Sequence, residues 1–141
     1  MPLITYLQPS WKIIKIRKIR DSRGNLSILE GGHDVPFAIK RIYYLYDTPI
    51  GKLRGGHAHK KLKQLLVAIS GSFTVRVDDG KFQEDIRLSK PDEGLYLNEM
   101  TWREIYNFSS NAVCLVVASK HYDEFDYIRN YAKFKKLQRM K

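Results

Sequence analysis

The sequence predicts an all-β domain, a sandwich or barrel of short strands, closed by a C-terminal helix. Three observations predict it. Strand-like runs recur at nearly regular spacing with turn residues between them. Only the C-terminal stretch changes to a helical period. The 141 residues, 43% hydrophobic and 28% charged, suit one soluble core rather than disorder.

Taken in order, Trp11–Ile19 is an isoleucine-rich strand, and Asn25–Glu30 follows a turn at Asp21–Gly24. Phe37–Tyr46 is a longer run, stopped by Asp47–Gly51. Leu62–Ile69 and Ser72–Val77 flank Ser70–Gly71, and Asp78-Asp79-Gly80 is a strong hairpin signal. Further strands are predicted at Lys81–Leu88, Glu93–Leu97, Thr101–Phe108 and Ala112–Ser119. Ile128, Tyr131, Phe134 and Leu137 then repeat every three residues, with Ala132 and Lys135 on the same arc. That is an amphipathic helix, with Asp123, Glu124 and Asp126 placed at its start to suit the helix dipole. No internal repeat or linker interrupts the chain. One domain over residues 1–141 is expected, with the barrel at about 11–122 and the helix at about 123–139.

The single cysteine, Cys114, lies in the apolar run Ala112–Ala118 and reads as core, not as a catalytic thiol. A lone cysteine forms no intrachain disulfide, which fits a reducing compartment. The first ten residues hold no Lys or Arg and no long apolar run, so no signal peptide is expected. No stretch approaches the ~20 apolar residues of a membrane span. A cytoplasmic protein without membrane contact is expected. A net charge of +10 raises nucleic acid as a partner. The cations are spread over Lys12–Arg23, Lys52–Lys63 and Lys133–Lys141, however, and the last group reads as a solvated helix face. A small anionic substrate that uses a few arginines is the better fit, and no nucleic acid is expected.

The most informative segment is Gly51–Gly71. On a strand, residues two apart point the same way, so His57 and His59 share a face. Gly55 and Gly56 before them permit a bulge or close backbone approach. Gly51, His57, His59, position 64 and Gly71 resemble the first motif of the cupins in spacing. The departures from the metal-binding form are as telling. Gln64 stands where metallocupins place a glutamate ligand. If Asn107 aligns with the asparagine of the second motif, Arg103 stands where the last histidine ligand belongs. A guanidinium keeps its charge and does not ligate metal. Two imidazoles with an amide and a cation are a poor set for an ion that wants three or four good donors. The imidazoles are then available for proton transfer. The plain alternative makes both histidines surface residues of a basic strand. His33 and His121 read as structural.

In Phe37–Tyr46, alternation puts Phe37, Ile39, Arg41, Tyr43 and Leu45 on one face. If that face lines the interior, Arg41 is a desolvated cation in need of an anion, which a diphosphate supplies bidentately. In the alternative, Arg41 faces solvent and Tyr43 packs in the core. The pattern leaves both open.

Five strings together resemble the dTDP-4-keto-6-deoxyglucose 3,4-ketoisomerases: Arg54-Gly-Gly-His-Ala-His-Lys60, Asp21-Ser-Arg-Gly-Asn-Leu26, Lys40-Arg-Ile-Tyr43, Asn107-Phe-Ser109 and Tyr122–Arg129. The resemblance runs from about Trp11 to Phe134. It implies a metal-free cupin jelly-roll barrel without cofactor that acts in deoxysugar biosynthesis. It also implies a homodimer, with N-terminal strands exchanged between copies. The substrate implied is a dTDP-linked keto sugar whose keto group moves from carbon 4 to carbon 3 through an enediol. His57 would be the carbon base and His59 a proton relay, with Tyr43 on the enediolate. Arg41 and Arg54 would hold the diphosphate. Arg23 would reach the sugar or the phosphates, Arg103 would stabilise the enediolate, and Gln64 would orient the sugar or a histidine. A 3,5-epimerase of the same fold, a metal-dependent oxygenase and a non-catalytic nucleotide-sugar sensor are the rival readings.

Overall fold

Alternating apolar residues organise two facing sheets. In the computed structural model, residues 7–140 are described. Residues 1–6, on which the no-leader expectation largely rests, and Lys141 of the basic tail lie outside them. The strands are β1 (Trp11–Lys15), β2 (Arg17–Asp21), β3 (Gly24–Ile28), β4 (Arg41–Leu45), β5 (Arg54–His59) and β6 (Gln64–Ser70). They continue as β7 (Phe73–Asp78), β8 (Gln83–Leu88), β9 (Glu93–Leu97), β10 (Trp102–Tyr106), β11 (Val113–Ala118) and β12 (Tyr127–Ile128), before α1 (Tyr131–Arg139). One sheet has the order β1-β9-β6-β11-β4 and the other β12-β5-β10-β7-β8, while β2 and β3 form a hairpin of their own. This is the cupin jelly roll, with two faces packed together rather than one continuous hydrogen-bonded cylinder.

The core between the sheets is built by inward residues such as Leu66, Phe73, Val75, Leu95, Ile105 and Cys114. β6 is buried on both faces, which explains why its sequence is an apolar run instead of an alternation. Its outward Leu65 and Val67 pack with Ile16, Val35, Phe37 and Ile39 of the N-terminal segment. The second sheet is covered by α1, whose fully buried Phe134 packs with Ala58, Met100, Trp102 and Ile128. Burying a side chain of that size stabilises by about 1.5–3 kcal/mol. Burial drives the Cys114 thiol up to about 12, in keeping with a core role.

Three expectations need correction. Trp11–Ile19 is two strands, not one: Ile16 turns inward under the first sheet, β1 pairs with β9, and β2 leaves to pair with β3. The run from Phe37 becomes strand only at Arg41, so Phe37 and Ile39 cover the outer face whereas Tyr43 and Leu45 face inward. The helix begins at Tyr131, capped by the Asn130 side chain, which accepts from Lys133 N. The acidic residues ahead of it form a separate turn at Glu124–Asp126, and Ile128 belongs to β12. Apolar spacing of three ran across a strand and a helix alike.

Candidate active site

β5 places the histidine pair through a bulge. Arg103 pairs with His57 but Glu104 pairs with Gly55, so β5 carries one extra residue there. Gly55 and Gly56 have φ of 82° and 76°, and a Cβ on Gly55 would lie 3.0 Å from Arg103 O. Only glycine accepts both demands without strain. Beyond the bulge, His57 and His59 point between the sheets, and Ala58 points out under α1.

A cavity of about 580 Å³ opens between the sheets at this end, and its lining includes Arg41, Tyr43, Arg54, His57, Gln64 and Arg103. Tyr127 and Arg129 close another side. His59 sits deeper, only 1% exposed, against His57 at 4.8 Å and Tyr127 at 4.3 Å between ring centroids. Burial, followed by the Arg103 charge, pushes His57 down from 6.5 to about 3 and His59 to about 2. Both imidazoles are therefore neutral at ordinary pH, with a free lone pair each.

A polar chain crosses the cavity floor. The Arg103 guanidinium donates to Gln64 Oε1 and, through Nε and Nη2, to Thr101 O at 3.2 and 3.1 Å. A cation at Oε1 fixes the amide orientation, so Gln64 Nε2 must face Tyr43, and it donates to the phenol oxygen at 3.0 Å. Having accepted there, the phenol keeps its own proton to offer elsewhere. Burial raises the Tyr43 pKa, so that proton is retained. Arg103 is lowered to about 10 by burial and remains a cation at neutral pH.

Arg41 settles the open alternative. It lines the cavity, and its Nε and Nη2 are buried without a hydrogen-bond partner. Its contacts are cation–π, 5.3 Å from the Tyr43 ring and 5.6 Å from the Tyr122 ring. Unpartnered buried donors of this kind are costly unless an anion arrives.

Residues 9–139 match the family described as FdtA: WxcM-like, C-terminal. This chain belongs to that family. The chain is 50% identical over 125 residues, 89% of it and 90% of the relative, to the TDP-4-oxo-6-deoxy-alpha-D-glucose-3,4-oxoisomerase of Aneurinibacillus thermoaerophilus. It is similar to the WlaRB TDP-quinovose 3,4-ketoisomerase of Campylobacter jejuni, with 50% identity and a TM-score of 0.86 over 89% of this chain and 97% of that one. A mutant of the 3,4-ketoisomerase QdtA from Thermoanaerobacterium thermosaccharolyticum, solved with TDP-4-keto-6-deoxyglucose, is 38% identical with a TM-score of 0.92, covering 96% and 98%. A 3'-monoepimerase from Streptomyces bikiniensis, at 16% identity and a TM-score of 0.72, shares the fold alone.

Within this FdtA-like site, seven of the eight residues singled out from sequence come together: Arg41, Tyr43, Arg54, His57, Gln64 and Arg103 on the cavity wall, with His59 behind them. Arg23 does not join them. It sits at the tip of the β2–β3 hairpin, 89% exposed, paired with Asp21 at 2.9 Å. Gln64 bonds neither histidine; its partners are Arg103 and Tyr43. The metal of the wider cupin fold does not fit these donors. Gln64 Oε1 is taken by Arg103, and a dication would sit beside a buried guanidinium. Among the described residues no group of three or more His, Cys, Asp or Glu could hold an ion.

Sequence reasoning gave no role to Tyr127 and Arg129. Tyr127 pairs with His59 across β12 and β5, and Arg129 lies 4.1 Å over its ring while bonding Glu124 at 2.8 and 2.9 Å. Both fall in the Tyr122–Arg129 string that carried part of the resemblance. Their assignment to the expected helix obscured them.

Proposed function

We propose that this protein is an isomerase that moves the keto group of dTDP-4-keto-6-deoxyglucose from carbon 4 to carbon 3, in deoxysugar biosynthesis. The observation that carries this is one cavity holding two neutral, buried imidazoles beside an unpartnered guanidinium. A diphosphate satisfies Arg41 and Arg54 and brings the sugar to His57. The relatives named above act on or bind TDP-linked sugars of this kind.

The carbonyl at carbon 4 acidifies the hydrogen on carbon 3. His57 takes that proton, the bonding pair becomes the carbon 3–carbon 4 double bond, and the former carbonyl oxygen receives a hydrogen bond or proton from Tyr43. The hydroxyl on carbon 3 then gives its proton back to Tyr43 as its carbonyl forms, and carbon 4 takes the proton held by the His57–His59 pair, which leaves both histidines neutral again. His59 relays protons behind His57. No atom is gained or lost. Positioned acid–base catalysis contributes about 10²–10⁴-fold, and the Arg103 charge behind Gln64 favours the enediolate. Carbon acidity at carbon 5 is not used, which separates this reading from a 3,5-epimerase.

The same reading includes metal independence, a reducing cytoplasmic setting for the lone Cys114, and a homodimer with exchanged N-terminal strands. β4 supports the dimer: it is a sheet edge whose outward Ile42 and Tyr44 are 57% and 59% exposed. The β2–β3 hairpin, with Ile19 and Leu26 exposed, pairs with neither large sheet and carries Arg23 at its tip. Incubation with dTDP-4-keto-6-deoxyglucose, with the product assigned by NMR, tests the function. A 3-keto product is expected, and unchanged sugar or label at carbon 5 overturns it.

A further inference from the structure

His59 has a second neighbour that the reaction as described leaves idle. Asp126 Oδ2 lies 3.5 Å from His59 Nδ1, and the two side chains are 11% and 1% exposed. Both His59 nitrogens are buried without a hydrogen-bond partner. The carboxylate, by contrast, is clamped. Lys61 N donates to Oδ1 at 2.9 Å and Leu62 N to Oδ2 at 3.2 Å. The adjoining backbone is fixed too, with Lys60 N donating to Asp126 O at 3.0 Å and Tyr127 paired to His59. Two backbone donors on its two oxygens prevent the carboxylate from turning away. At 3.5 Å His59 Nδ1 is within charge-pair distance of Oδ2.

The charges that bear most on His59 are those of Arg103 from β10, His57 on its own strand when protonated, Arg41 from β4 and Arg129 after β12, the last already paired with Glu124. Tyr127 covers it from β12. Among the described residues, Asp126 is the carboxylate within 4 Å of the ring. A proton on His59 therefore has one nearby anion to offset it.

We propose that Asp126 is a positioning residue for the isomerisation, accepting from His59 Nδ1 so that Nε2 is left bare as the atom that exchanges protons on the His57 side. The inference rests on the histidine-based reading of the function. It gives a carboxylate–imidazole–imidazole arrangement in which Asp126 sets the tautomer of His59 and steadies its protonated form, without touching substrate.

The wild-type protein tests it first, without any substitution. ¹⁵N NMR of histidine-labelled protein is expected to show His59 protonated on Nδ1 and bare on Nε2; the reverse tautomer overturns the proposal. Asp126→Asn is expected to lower kcat about 10- to 100-fold, with KM and TDP affinity little changed. The acid limb of the kcat–pH profile should move to lower pH, because the His59 cation loses its partner, and Asp126→Glu should recover part of the rate. A variant that keeps both rate and profile overturns the proposal. If the wild type produces no 3-keto sugar, the functional reading has failed instead, and the tautomer still decides whether Asp126 orients His59.

Discussion

The two ends of the space between the sheets are made from the same strands but not from the same kind of residue. Along the inward positions of β6, Gln64 gives way to Leu66 and Ala68, and along β10 Arg103 gives way to Ile105, with Leu66 and Ile105 on the cavity wall at the boundary. Along β4, Arg41 and Tyr43 give way to Leu45, which also borders the cavity. One end is close-packed around Phe73, Leu88 and Phe108. The other holds a cavity with orphaned donors and a buried cation. The dry end supplies cohesion, and the polar end keeps its groups desolvated and waiting for a ligand. A few residues of strand separate stability from chemistry.

That division can be broken from either side. Phe73→Ala in the dry end is expected to cost about 3–5 kcal/mol, read as a lower denaturation midpoint, with kcat per folded molecule unchanged. Arg41→Met in the polar end should do the opposite. TDP affinity, measured calorimetrically, falls by about 2–5 kcal/mol, while the ligand-free protein melts no lower, since an unpartnered buried cation has gone. Replacing the cavity floor with Gln64→Leu and Arg103→Met extends the dry core. The double variant is expected to be inactive and as stable as the wild type, or more so by about 1–4 kcal/mol.

Acid titration sharpens the comparison with a smaller effect. His57 and His59 are held below their ordinary 6.5, at about 3 and about 2. Between those values the unfolded chain binds more protons than the folded one, so stability rises with pH. It should be level above about pH 6.5 and decline below it. Glu124, drawn down to about 2 by Arg129, adds to the loss only below its ordinary 4.5. The decline between 6.5 and 4.5 should shrink in a His57→Asn, His59→Gln double variant, and urea titrations at each pH would show it.

Much of this was legible before the fold. The glycine frame around His57 and His59 pointed to a cupin, because only glycine allows the bulge that sets the pair, and Gln64 and Arg103 stood out as departures from the metal-binding pattern. Cys114 was legible as core from the apolar run Ala112–Ala118 around it. Periodicity was less informative at joints. Ile16 and Ile128 continue apolar patterns through changes of partner, since a pattern records burial and not which element buries the residue. The mutual geometry was not legible at all. That Gln64 serves Tyr43 and that Asp126 faces His59 depend on pairing between segments far apart in the chain; the turn carrying Arg23 is local, and what the pattern hid is that its hairpin pairs with neither large sheet.

The account rests on His57 as the base that takes the carbon-bound proton. Wild type and His57→Asn can be compared in deuterium oxide for exchange at carbon 3 of dTDP-4-keto-6-deoxyglucose and for formation of the 3-keto sugar. The account predicts exchange and isomerisation in the wild type, and a joint loss of about 10²–10⁴-fold in a variant that still binds TDP normally. Exchange at the wild-type rate in the variant would contradict it.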